Sequence, residues 1–81
     1  ISNYPNPFTN NTVITFKTDG GHTLIQIIDT MGRVITNLTD KVYTAGTFTV
    51  VFDSGALPTG VYYARLQNMA IQQVRAMIKV R

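Results

Sequence analysis

The sequence predicts an all-β fold, and three of its features do so. Thr, Asn and Gln carry most of the polar content, Glu is absent, and Val, Ile and Tyr are frequent. β-Branched and aromatic side chains fill a pleated strand better than a helix. Short apolar runs alternate with a period of two, and clusters of Gly, Pro, Asn and Asp interrupt them at fairly even intervals, as in a sandwich or barrel. The 81 residues are one domain. A chain of that size buries only about 60 to 65% of its unfolded surface, enough for one core but not for a deep cleft between lobes.

The opening stretch Tyr4-Pro5-Asn6-Pro7-Phe8 cannot be helical, because both prolines lack a backbone donor and push their predecessors into extended conformations. It is expected along a sheet edge, with Tyr4 and Phe8 as anchors. After the turn cluster Thr9-Asn10-Asn11, a strand over Thr12–Thr18 sets Ile14 and Phe16 against Val13, Thr15 and Lys17. Asp19-Gly20-Gly21 turns the chain. The next strand, His22–Asp29, is almost continuously apolar, with Ile25 and Ile27 on one face and Leu24 and Ile28 on the other. It is expected to be central and covered on both sides.

Thr30-Met31-Gly32-Arg33 reverses the chain into a strand over Arg33–Leu38, followed by a polar loop through Asp40, Lys41 and Tyr43 to Gly46. Thr47–Asp53 alternates clearly, with Phe48, Val50 and Phe52 sharing a face. Leu57-Pro58-Thr59-Gly60 leads into Val61–Gln67, where Tyr62, Ala64 and Leu66 alternate with Tyr63 and Arg65. Gln67-Asn68-Met69-Ala70 makes the last reversal. In the final strand Val74, Ala76, Ile78 and Val80 are expected to face the core, with Arg75, Lys79 and Arg81 in solvent. The result is an immunoglobulin-like antiparallel β-sandwich of six or seven strands over residues 1–81. Its expected core is Ile14, Phe16, Ile25, Ile27, Phe48, Val50, Phe52, Tyr62, Ala64, Leu66, Val74 and Ile78.

Function classes fall away one by one. The net charge of +3 is dispersed except at Arg75, Lys79 and Arg81, unlike the dense basic face with interleaved aromatics that nucleic acid requires. No cysteine is present, so disulfides and thiolate sites are excluded. No apolar run approaches the ~18 residues of a membrane span. The lone imidazole, His22, follows a Gly-Gly turn, and Ser2 and Ser54 sit in loops, so no nucleophile and base converge. Asp19, Asp29, Asp40 and Asp53 lie in turns or at strand ends, where they suit side-chain-to-backbone bonds better than a metal. No cofactor, metal site or catalysis is expected. Tyr43, Tyr62 and Tyr63 could make a sugar-stacking platform, although Tyr62 suits the core.

Several motifs then occur in a fixed order: Tyr4-Pro5-Asn6-Pro7-Phe8, Ile27-Ile28-Asp29-Thr30-Met31-Gly32-Arg33-Val34, Phe52-Asp53, Leu57-Pro58-Thr59-Gly60-Val61-Tyr62, and a basic end at Lys79 and Arg81. In this order they resemble the C-terminal sorting domain (type A) of cargo proteins of the Bacteroidetes type IX secretion system, over nearly the whole chain. Phe52 stands where that family often has Trp, and Arg81 where Lys is commoner. The resemblance implies a β-sandwich that acts as a secretion signal, excised here from a larger secreted protein whose cleavage site lies upstream of Ile1. The implied partners are the outer-membrane type IX translocon, a sortase-like signal peptidase and a covalently linked upstream cargo. The cargo would pass through the periplasm and outer membrane to the cell surface or medium.

Carried over by position, Tyr4, Pro5, Asn6, Pro7 and Phe8 match the opening motif, Gly32 the mid-domain turn, Gly60 and Tyr62 the glycine-x-tyrosine motif, and Lys79 and Arg81 the basic terminus. Recognition is expected through the last strand, by strand addition or charge pairing. Two other functions stay open: a carbohydrate-binding or adhesive module, and a structural domain like that of flagellar hook-capping proteins. The latter shares the proline-asparagine-proline opening and the Asp-x-x-Gly turn, and the basic terminus favours sorting over it.

Overall fold

The computed structural model describes residues 1–69 and 71–81. Among them are seven strands and no helix: β1 (Ser2–Tyr4), β2 (Asn11–Thr18), β3 (Gly21–Ile28), β4 (Val34–Tyr43), β5 (Gly46–Asp53), β6 (Gly60–Asn68) and β7 (Ile71–Lys79). A three-stranded sheet in the order β1-β2-β5 faces a four-stranded sheet in the order β4-β3-β6-β7, and every strand pair is antiparallel. This is the expected immunoglobulin-like sandwich.

The core lies between the inner faces, in two joined groups. One is built from Phe8, Ile14, Ile27, Phe52, Tyr62, Ala64 and Met77, the other from Phe16, Ile25 and Leu66. Phe8 meets Phe52 edge-on at 6.1 Å. At the opposite end Phe16, Phe48 and Tyr43 form an aromatic triplet with centroids 4.9 to 6.0 Å apart. Phe48 and Val50 face inward as expected but are only half-buried, because β5 is the outermost strand of its sheet.

Four expectations about the strands need correction. The loop expected through Asp40 to Tyr43 is strand: β4 runs on to Tyr43, paired with Gly21, His22 and Thr23 despite its polar residues. His22 Nε2 and Asp40 Oδ1 lie 2.5 Å apart on that sheet. Gln67 and Asn68, expected in the last reversal, are still strand, paired with Gln72 and Ile71 of β7, while Ala70 of that reversal lies outside the described residues. β3 is central in its sheet but covered by the partner sheet on one side only. Leu24 on its outer face is half-exposed, and Ile28 is buried in a row with Val34 and Tyr63.

The fourth correction concerns the phase of β7. Met77 is fully buried and Lys79 is 7% exposed, whereas Val74 and Ile78 are 56% and 44% exposed. The face expected to be core is the outer face of the sheet, beside Val61 and Tyr63 of β6. The register of β6 enforces this. Tyr62 points inward and stands opposite Met77, so the odd-numbered residues of β7 share its face.

Candidate functional site

The opening motif does more than follow a sheet edge. β1 pairs with β2 in the three-stranded sheet, and the chain then crosses to the other sheet through Pro5 and Pro7, whose preceding peptide bonds are both cis. Asn6 takes the place of a strand residue there. Its Nδ2 donates to the Ala76 carbonyl (3.1 Å), and its Oδ1 accepts from the Ile78 N–H (3.0 Å). Phe8 continues the pairing in parallel. Its N–H donates to the Ile78 carbonyl (2.9 Å), and its carbonyl accepts from the Val80 N–H (2.8 Å). The exposed edge of β7 over residues 76–80 is thereby occupied by the chain's own opening segment.

A buried polar node fastens the crossing. The Thr12 hydroxyl donates to the Pro5 carbonyl (2.9 Å) and accepts from Asn3 Nδ2 (3.1 Å), and Arg75 Nε donates to Asn3 Oδ1 (2.8 Å). Asn3 and Thr12 are both buried, and these bonds satisfy side chains that would otherwise be costly there. Phe8 is 1% exposed and anchors the segment as expected. Tyr4 does not: it is 81% exposed on the outer face of the three-stranded sheet.

Lys79 also departs from its expected place in solvent. Its stem runs inward, and Nζ donates to the carbonyls of Leu57 (2.7 Å) and Gly55 (3.0 Å), holding the loop between β5 and β6. Gly60 stands opposite Lys79 in the β6–β7 ladder, with φ +148° that favours glycine. Tyr62, two residues on, is buried and donates its hydroxyl to the Pro58 carbonyl (2.6 Å). The glycine-x-tyrosine motif and the basic terminus therefore brace the same loop from two sides.

Gly32 lies across a groove from that loop. The Asp29 carboxylate accepts from the N–H groups of Met31 and Arg33 (2.9 Å each) and from Arg33 Nε (2.8 Å). The Gly32 N–H donates to the Asp29 carbonyl (3.1 Å), at φ +83°, where a side chain would be strained. The Arg33 backbone N–H, followed by burial acting in the opposite sense and then the Arg33 side chain and the Met31 N–H, holds the Asp29 carboxyl below the usual aspartate range. A groove of about 330 Å³ separates this turn from Leu57–Tyr62.

The motif positions thus meet at one end of the sandwich, with Gly32 across the groove; Arg81 is exposed just beyond β7. Sequence reasoning missed Asn3, Thr12 and Arg75. A buried asparagine and threonine look like ordinary strand polars until a second sheet brings an arginine to them. Among the described residues no helix is long and apolar enough to cross a membrane, and no group of three His, Cys, Asp or Glu side chains could hold a metal.

Compared with known families, the chain matches the family described as the secretion system C-terminal sorting domain, over residues 2–80. The chain belongs to that family. It is a sorting signal of the type IX secretion system, and the match decides for sorting where the motifs alone left the hook-capping and carbohydrate-binding readings open. Membership implies linkage to an upstream cargo, interaction with the export machinery, and delivery of the cargo to the cell surface or the medium. The family is a signal family, not an enzyme family. Comparisons with curated proteins and with solved structures gave no match.

Proposed function

We propose that the outer-membrane type IX translocon reads this sorting domain at the motif end of the sandwich. The cargo is joined upstream of Ile1, and a sortase-like signal peptidase severs the link there once the cargo has crossed. The observation that carries this reading is the double clamp of Asn6 and Phe8 on residues 76–80. It makes the opening motif and the basic terminus a single surface that exists only in the folded domain. Within it, Pro5, Asn6, Pro7, Phe8, Gly32, Gly60, Tyr62 and Lys79 shape the surface, while Tyr4 and Arg81 stand free to touch a partner.

The test separates the two groups. A reporter bearing this domain at its C-terminus is expected to reach the surface of a host with the export system. Tyr4→Ala combined with Arg81→Ala removes exposed side chains, which contribute about 0 to 1 kcal/mol to folding. The melting temperature should therefore stay near native while export falls strongly. Normal export at normal stability would place recognition elsewhere on the domain.

A further inference from the structure

The four edge strands of the sandwich are protected very unequally. β1 is three residues long and is followed at once by Pro5. β7 is covered over residues 76–80 by Asn6 and Phe8, and the side chains of Arg75 and Gln73 bond to Asn3 and to the Ile1 amino group, so that only a short exposed stretch, residues 71–74, is left. β4 carries two register irregularities and the charged pair Asp40 and Lys41. These are the ordinary devices that stop a sheet edge from recruiting another strand. β5 has none of them. It pairs with β2 in unbroken register through Gly46–Asp53 and contains no proline, and its first seven residues carry no charge. Among the described residues no hydrogen bond other than those of the β2 ladder reaches residues 46–52, so a row of backbone donors and acceptors is open to solvent.

Both faces of this edge also present incomplete apolar rows. On the inner face Phe48 and Val50 are half-exposed where the sheet stops. On the outer face Tyr4, Val13 and Val51 stand in one cross-strand row, all exposed, and the row ends at β5. An added strand with apolar residues opposite Phe48, Val50 and Val51 would cover all three.

We infer that the free edge of β5 takes an extended segment of the export machinery, apolar on both faces at its centre, by strand addition. This rests on the sorting reading and adds a second contact to it. A second copy of this chain fits less well. Antiparallel self-pairing centred on Thr49 covers Phe48 with Val50 but sets Thr47 against Val51, and centring on Val50 sets Thr49 against Val51, so neither extends the outer row. Centring on Val51 extends that row but shortens the ladder to residues 49–53 and sets Thr49 against Asp53.

The test uses the reporter joined upstream of the full domain, with three substitutions on the outer face. Thr49→Lys guards the β5 edge. Thr15→Lys puts the same charge on the same face one strand in, opposite Thr49. Thr49→Val keeps a strand-forming residue at the edge. Export should fall at least tenfold for Thr49→Lys and stay within about twofold for the other two, all at near-native melting temperature. Should Thr49→Lys unfold the domain, amide exchange on the unmodified fusion decides, with exchange over residues 46–53 expected to slow at least tenfold on the export complex. Native-like export by a stable Thr49→Lys variant, or no slowing, overturns strand addition. Equal loss with Thr15→Lys overturns it too, in favour of a sheet-face contact. A dimer of the domain that Thr49→Lys dissolves without loss of export assigns the edge to self-association and overturns the inference. Failure of the unmodified fusion to be exported would instead refute the sorting reading itself.

Discussion

Lys79 shows how far a side chain can depart from its usual role. Among the described residues no carboxylate pairs with it, and its ammonium is spent on two loop carbonyls. Lys79→Ala leaves those acceptors without their donor and should destabilise the domain by about 2 to 3 kcal/mol, read from chemical denaturation. Lys79 is therefore a poor probe of recognition, since any export defect would include a folding defect. Phe52, 2% exposed against Phe8, should cost more: about 3 to 5 kcal/mol for Phe52→Ala through the cavity left behind. Asp29 gives a pH signature. Its folded pKa is depressed, so its contribution is present above the unfolded aspartate value, about 3.9, and is lost as pH falls through the folded one. The Gly32 turn should thus hold throughout the neutral range and loosen only in strong acid, which a carboxyl titration by NMR would follow.

At the scale of elements, β7 explains what alternation can and cannot tell. A period of two was legible in Val74, Ala76, Ile78 and Val80, but its phase was not. Apolar residues marked the outer face, while Met77 and two cations took the inner one. Cations can point inward here because loop carbonyls and Asn3 meet them at the sandwich end, and those partners lie 22 to 72 residues away in sequence. β4 was cut short for a related reason: Asp40 and Lys41 look like loop residues, yet an edge strand tolerates charge. By contrast, β2, β5 and β6 were legible because one face of each is plainly apolar. The corrected phase has a direct consequence. Ile78→Thr, on the exposed face, should shift stability by no more than about 0.5 kcal/mol, whereas Met77→Ala should cost about 2 to 5 kcal/mol. Equal effects in parallel denaturation curves would mean that β7 sits in the other phase.

For the whole molecule, the folded sandwich is what brings the motifs together. Motifs from residues 4–8, 29–33, 57–62 and 79–81 are scattered along the chain and converge because strands from both sheets end at the same place. Their order along the chain was enough to suggest sorting, and the clamp between the opening segment and β7 could not be read from it. That clamp belongs to tertiary structure, since an asparagine side chain substitutes there for strand backbone. The central claim is that this domain is sufficient to route an attached cargo through the export system, and surface delivery of a passive reporter measures it most directly. The account predicts that a periplasm-targeted reporter ending in this domain appears on the surface or in the medium of a host with the translocon, and remains periplasmic in an otherwise identical host without it. Retention of the reporter in the periplasm of the competent host, with the domain folded, would contradict it.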